Sequence, residues 1–128
     1  MQIDHIAIWT NDLDRLRRFY IQYFNVECGS KYINQKRGFE SYFLQFDSGA
    51  KVELMYLPSL MRLKETGISF VGYAHIAISV GSKENVDDLT SRMRMNGHMV
   101  LSEPRYTGDG FYESVVSDPD GNHLEITI

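Results

Sequence analysis

Apolar and polar positions alternate with a period of two over residues 3–9, so that Ile6 and Ile8 share one face of a strand and His5, Ala7 and Trp9 the other. Thr10, Asn11 and Asp12 then supply side-chain oxygens suited to a helix start. Leu13, Leu16, Phe19, Tyr20, Tyr23 and Phe24 recur at helical spacing and predict one apolar stripe, with Asn25 and Gly29 bracketing its exit. Three strands are expected next, at 27–33, 41–46 and 50–57. The last two form a hairpin through Asp47-Ser48-Gly49. Residues 58–72 lose sustained periodicity and read as a connector that has room for a short helix over 59–64.

The same order then recurs. A strand over 74–80 precedes Ser82, Glu84 and Asn85, which open a helix whose inward residues are Val86, Leu89 and Met93. Asn96-Gly97 marks its stop. Strands are expected at 99–102, 111–117 and 122–128. The tetrapeptide His-Ile-Ala-Ile stands at both 5–8 and 75–78, 70 residues apart, and Glu53 and Glu125 lie 72 apart in matching final strands. The fold class is therefore α+β. Two tandem β-α-β-β-β modules (1–57 and 73–128, joined by 58–72) form one domain of cup-shaped, curved sheets with the helices outside, because a sheet carrying one helix leaves its other face bare.

Strand parity directs the chemistry. His5 opposes Ile6 and Ile8, His75 opposes Ile76 and Ile78, Glu53 opposes Val52 and Leu54, and Glu125 opposes Leu124 and Ile126. All four ionisable groups leave the helix-packed side. Two imidazoles and two carboxylates suit Ni, Co, Zn, Mn or Fe and lack the thiolates of structural zinc. An octahedral ion so held keeps about two positions open for substrate oxygens. One divalent metal ion per site is expected.

The bulk numbers narrow the function without naming it. A net charge of −4 with no basic face disfavours nucleic acid. No apolar run reaches the roughly 18–20 residues of a membrane span, and no signal segment follows Met1. Cys28 is the only cysteine, which suits a reducing, cytoplasmic compartment. The loop from Arg105 through Gly110 reads as a mobile lid and has no phosphate-loop Lys-Ser/Thr. His123 shares the parity of Glu125 and is a second-shell candidate, while His98 reads as solvated.

These motifs resemble those of the vicinal oxygen chelate superfamily, the glyoxalase I, bleomycin-resistance and dioxygenase group. Asp118-Pro119-Asp120-Gly121-Asn122-His123-Leu124-Glu125 is similar to that family's closing signature. The resemblance places His5, Glu53, His75 and Glu125 on the metal positions of bacterial glyoxalase I. Extradiol dioxygenases use two His and one Glu, epimerase-like members usually carry Gln where Glu53 stands, and antibiotic-sequestering members generally lack the set. What it implies is a lyase that isomerises a 2-oxoaldehyde–thiol hemithioacetal through an enediolate, with Glu125 or else Glu53 as base, in a homodimer acting on a small molecule. The alternatives are a metal-dependent epimerase or thiol transferase of the same superfamily, or a non-catalytic resistance-type binding protein.

Two positions depart from the pattern. Trp9 stands where bacterial glyoxalase I enzymes carry the Arg that grips the glutathione carboxylate, and Leu57 stands where they carry an Asn. Contacts to a charged group contribute about 1.5–3 kcal/mol each. A pocket lined by Trp9, Met55 and Leu57 therefore implies a smaller, more apolar substrate or another thiol adduct.

Overall fold

The computed structural model describes residues 1–61 and 71–128. The chain divides into two compact units, Met1–Ile68 and Ser69–Ile128.

The first unit runs β1 (His5–Trp9), α1 (Leu13–Phe24), β2 (Glu27–Cys28), β3 (Tyr32–Asn34), β4 (Phe39–Gln45) and β5 (Lys51–Tyr56). Asp12 caps α1 by accepting the Arg15 amide at 2.9 Å, and Asn25 ends it in the left-handed conformation (φ 51°). The stripe expected on α1 is the buried face, with Leu13, Leu16, Phe19, Tyr20 and Tyr23 inside. It packs on β2, β4 and β5, where Leu44, Val52 and Leu54 are buried. The sheet order is β1-β5-β4-β2, with β3 also paired to β4. Strands β1 and β5 are parallel, and the other pairs are antiparallel.

One expected strand, 27–33, is two short ones. Each pairs with β4, and the chain breaks between them at 29–31, where the Gly29 amide still reaches the Phe43 carbonyl at 3.1 Å. Strand β4 in turn begins two residues earlier than its apolar run, at Phe39, directly after Gly38. Gly38 has φ 63°, and a Cβ there would meet Pro58 Cγ at 2.9 Å, so only glycine suits that entry.

The second unit runs β6 (Ile76–Ser79), α2 (Lys83–Met95), β7 (Val100–Tyr106), β8 (Tyr112–Ser117) and β9 (His123–Thr127), in sheet order β6-β9-β8-β7. Ser82 caps α2 by accepting the Asn85 amide, and Asn96-Gly97 closes it. Val86, Leu89, Thr90 and Met93 are buried against β7, β8 and β9. Again one pair, β6 with β9, is parallel.

Two sequence expectations need correction here. Strand β7 continues through Pro104 to Tyr106, so Arg105 and Tyr106 are strand residues rather than loop. The register slips on both sides of Ser102, which fits a proline that cannot donate to a ladder. What remains of the expected lid, around Thr107 to Gly110, is a tied hairpin turn. The Thr107 amide donates to the Phe111 carbonyl at 2.8 Å, and the Phe111 amide donates to Thr107 Oγ1 at 3.1 Å. The short helix over 59–64 falls partly outside the described residues. Of the described part, Pro58 and Ser59 form a turn closed by the Leu60 amide on the Leu57 carbonyl at 3.2 Å.

Candidate functional site

Each unit brings one histidine to one glutamate by the same construction. In the first, the parallel register sets Ala7 opposite Glu53, and His5 lies two residues before Ala7 on the same face. The imidazole Nε2 is 3.8 Å from Glu53 Oε2. In the second, Ala77 is opposite Glu125, and His75 lies two residues before Ala77, just ahead of β6. Its Nε2 is 3.2 Å from Glu125 Oε2. The intervening alanines are short enough to let the longer side chains meet above them. The carboxylates are seated in the sheet, with side-chain exposures of 14% and 20%, whereas the imidazoles are 41% and 43% exposed. The donor atoms are therefore held from below and reachable from solvent.

These distances can be compared with what a divalent ion requires. Nitrogen and oxygen donors bond a first-row metal at about 2.0–2.2 Å, so neighbouring donors on one ion lie roughly 3–3.5 Å apart. The two pairs, at 3.2 and 3.8 Å, are at or close to that spacing with no change of backbone. The donor chemistry fits such an ion, with no thiolate involved; Cys28 instead contacts the Gly29 carbonyl. Within either unit the set stops at two, and among the described residues no group of three or more His, Cys, Asp or Glu side chains forms.

The surroundings of the pairs differ. In the first unit Asp4 Oδ2 lies 2.9 Å from His5 Nδ1, a contact absent from the sequence reading although the two residues are adjacent. That hydrogen bond, together with the Lys51 ammonium 3.5 Å from Asp4 Oδ1, lowers the Asp4 pKa. Phe43 is paired with Glu53 and meets the His5 ring edge-on at 5.4 Å. Trp9 and Met55 are register partners on this face, and Trp9 is 47% exposed, its ring edge-on to Phe39 at 6.3 Å. Tyr32 extends the aromatic run, 6.0 Å from Phe39. Leu57 follows directly after β5 and is half-buried. Hairpin register was the signal that locates Phe43 and Phe39.

In the second unit Ala77 and Val115 flank Glu125, and His123 is exposed on the same face of β9. The Asp118 turn sets the position of that strand. Asp118 Oδ1 accepts the amides of Asp120 and Asn122 at 2.9 Å each, and Oδ2 accepts from Asn122 Nδ2 at 2.8 Å. Burial pushes the Asp118 carboxyl pKa up, with these hydrogen bonds opposing it. The Asp-Pro-Asp-Gly-Asn run thus works as a turn that delivers Glu125 to its register. His98 is half-buried rather than solvated, and burial lowers its pKa.

A model of the glyoxalase/bleomycin resistance protein/dioxygenase superfamily matches residues 2–126, nearly the whole chain. The chain belongs to that superfamily. This vicinal oxygen chelate member is 29% identical, over an alignment 133 positions long, to the Bacillus subtilis (strain 168) protein YqjT, itself uncharacterised, covering 95% of this chain and 94% of that one. It is similar to the solved trypanothione-dependent glyoxalase I of Leishmania major, at 27% identity and a TM-score of 0.78, over 99% of this chain and 86% of that one. The glyoxalase I of Zea mays has the same fold, with a TM-score of 0.77 at 23% identity; the superfamily member described here spans 44% of that longer chain. No helix among its described residues is long and apolar enough to cross a membrane.

Proposed function

We propose that this chain is a metal-dependent glyoxalase I-like lyase, acting as a cytoplasmic homodimer on a 2-oxoaldehyde–thiol hemithioacetal. The observation that carries the reading is the repeated His–Glu pair, each with a donor spacing at or close to what a divalent ion requires. His5, Glu53, His75 and Glu125 are the metal ligands in this reading. When bound, the ion supplies Lewis-acid stabilisation of the negative charge that develops on the two vicinal oxygens of the substrate.

The chain's own residues then do the rest. Glu125, by a carboxylate oxygen not engaged in holding the ion, takes the proton from the carbon between oxygen and sulfur and returns it to the neighbouring carbon, leaving the thioester product. Glu53 is the alternative base. His123, on the same face as Glu125, orients that ligand. Trp9, Met55 and Leu57 bind the non-reacting part of the substrate through apolar contact and exclude water from it. The Leishmania major relative depends on trypanothione, and here an apolar wall in place of a charged clamp favours an adduct other than that of glutathione.

The test is a metal-stripped protein reloaded separately with Ni, Co, Zn, Mn and Fe, then assayed with methylglyoxal and a panel of thiols including glutathione and trypanothione. Turnover of at least one adduct is expected, falling about 100- to 10,000-fold in Glu125→Gln, the usual span for loss of a general base. Tight metal binding without turnover of any adduct would replace the lyase with a metal-dependent epimerase or thiol transferase. Small-molecule affinity indifferent to chelators would make it a binding protein of resistance type.

A further inference from the structure

We infer that Asp4 is a positioning residue for His5, holding the imidazole in the tautomer whose unprotonated Nε2 faces Glu53, a part that Ala74, at the matching place before His75, has no side chain to play. The inference rests on the reading of His5 as a metal ligand.

Which imidazole nitrogen carries the proton is set by the hydrogen bond the other makes. A carboxylate only accepts, so Asp4 Oδ2 at 2.9 Å requires the proton on Nδ1. That leaves the Nε2 lone pair directed to the Glu53 side, where it stands 3.8 Å from Oε2. The acceptor is itself tethered. The Asp4 carbonyl accepts the Lys51 amide at 3.0 Å, and its Oδ1 lies 3.5 Å from Lys51 Nζ. Lys51 Nζ also lies 5.7 Å from the Phe43 ring centroid, and the Phe43 ring meets the imidazole edge-on. Asp4 and Phe43, both in contact with Lys51, therefore limit rotation of His5. In the second unit Ala74 precedes His75 and has no side-chain acceptor. The first unit thus has a preformed His5–Glu53 pair, whereas in the second, among the described residues, His75 has Glu125 Oε2 at 3.2 Å from its Nε2.

Carboxylates behind metal-ligating histidines typically contribute 10- to 100-fold in metal affinity. The experiment combines two readouts on the full-length protein. Long-range 15N NMR of the metal-free protein at about pH 8, above the ordinary imidazole value of about 6.5, reports the tautomer of each histidine. Cobalt(II) titration reports affinity. Wild type is expected to show His5 protonated on Nδ1. Asp4→Ala should shift His5 toward the Nε2-protonated form, leave His75 unchanged and weaken cobalt binding by about 10- to 100-fold. Asp4→Asn, whose amide oxygen still accepts, should keep much of the Nδ1 form and lose less affinity. An unchanged His5 tautomer in Asp4→Ala, or cobalt affinity equal to wild type, would overturn the inference. Failure of wild type to bind cobalt at all would overturn the metal reading instead, and the tautomer shift would still decide the part played by Asp4.

Discussion

The two units share a backbone plan and fill it with different chemistry. Along the helices, Leu16, Phe19, Tyr20 and Tyr23 of α1 occupy the places taken by Val86, Leu89, Thr90 and Met93 of α2, and all eight are buried. On the central strands, Tyr42 of β4 matches Ser114 of β8. One core is aromatic, with Phe19 in edge or tilted contact with Tyr20, Tyr23 and Phe24. The other is aliphatic and joined across its helix–sheet boundary by a Thr90–Ser114 hydroxyl hydrogen bond of 2.6 Å. Helical and strand periodicity fix which positions face inward, and the volume behind them is met by either set of side chains. Around the His–Glu pairs the divergence is chemical. Asp4, Trp9, Lys51 and Phe43 in the first unit correspond to Ala74, Ser79, His123 and Val115 in the second. The ligand pair is repeated; its setting is not.

The largest test of this equivalence is core truncation at matched sites. Leu54 and Ile126 are both fully buried on the final strands, one residue after each glutamate. Leu54→Ala and Ile126→Ala should each cost about 2–5 kcal/mol, measured by denaturant unfolding. Equal costs would support interchangeable cores. A Leu54→Ala cost well below that range would show that the aromatic core collapses into the cavity more readily.

The hydroxyl pair breaks the comparison more finely. Thr90 Oγ1 contacts Ser114 Oγ and also donates toward the Val86 carbonyl at 2.6 Å, in a fully buried setting. Thr90→Val leaves Ser114 without that partner and should cost about 1–3 kcal/mol. The Thr90→Val/Ser114→Ala double variant should recover part of it, and a double-mutant cycle reads the coupling. Additive losses would mean that the two hydroxyls act independently. The first unit has Tyr20 and Tyr42 at these places, so no comparable polar pair is expected to be needed there.

Much of the plan was legible because it repeats. The element order in each unit, the α1 stripe from Leu13 to Tyr23 and the same-face placement of each His–Glu pair all follow from period and parity, which a single chain displays openly. What escaped is set by pairing across the sheet. The split of 27–33 depends on how β4 accepts two short partners, and the extension of β7 past Pro104 depends on a bulge that absorbs the missing donor. Phe43 beside Glu53 depends on hairpin register rather than on local spacing. Asp4 was adjacent to His5 in plain sight, but neighbouring residues in a strand ordinarily point apart, and its contact arises because it lies just ahead of β1.

The smallest expected effect concerns the two turns. Asp118 in the second unit is buried and bonded to the turn it closes, whereas Asp47 at the matching turn is exposed. Burial raises the Asp118 pKa above its ordinary value of 3.8. A carboxyl whose pKa is higher folded than unfolded contributes stability that is fully present below the unfolded pKa and is lost as pH rises through the folded one. Wild type therefore gives up part of its stability over that interval, and Asp118→Asn, which carries no charge to bury, does not. The melting temperature of Asp118→Asn relative to wild type should accordingly rise between about pH 3 and about pH 7, with Asp47→Asn as the control. A difference independent of pH would mean that the amides of Asp120 and Asn122 and the Asn122 side chain offset the burial of the charge in full, and that the buried turn and the exposed one differ in packing but not in proton linkage.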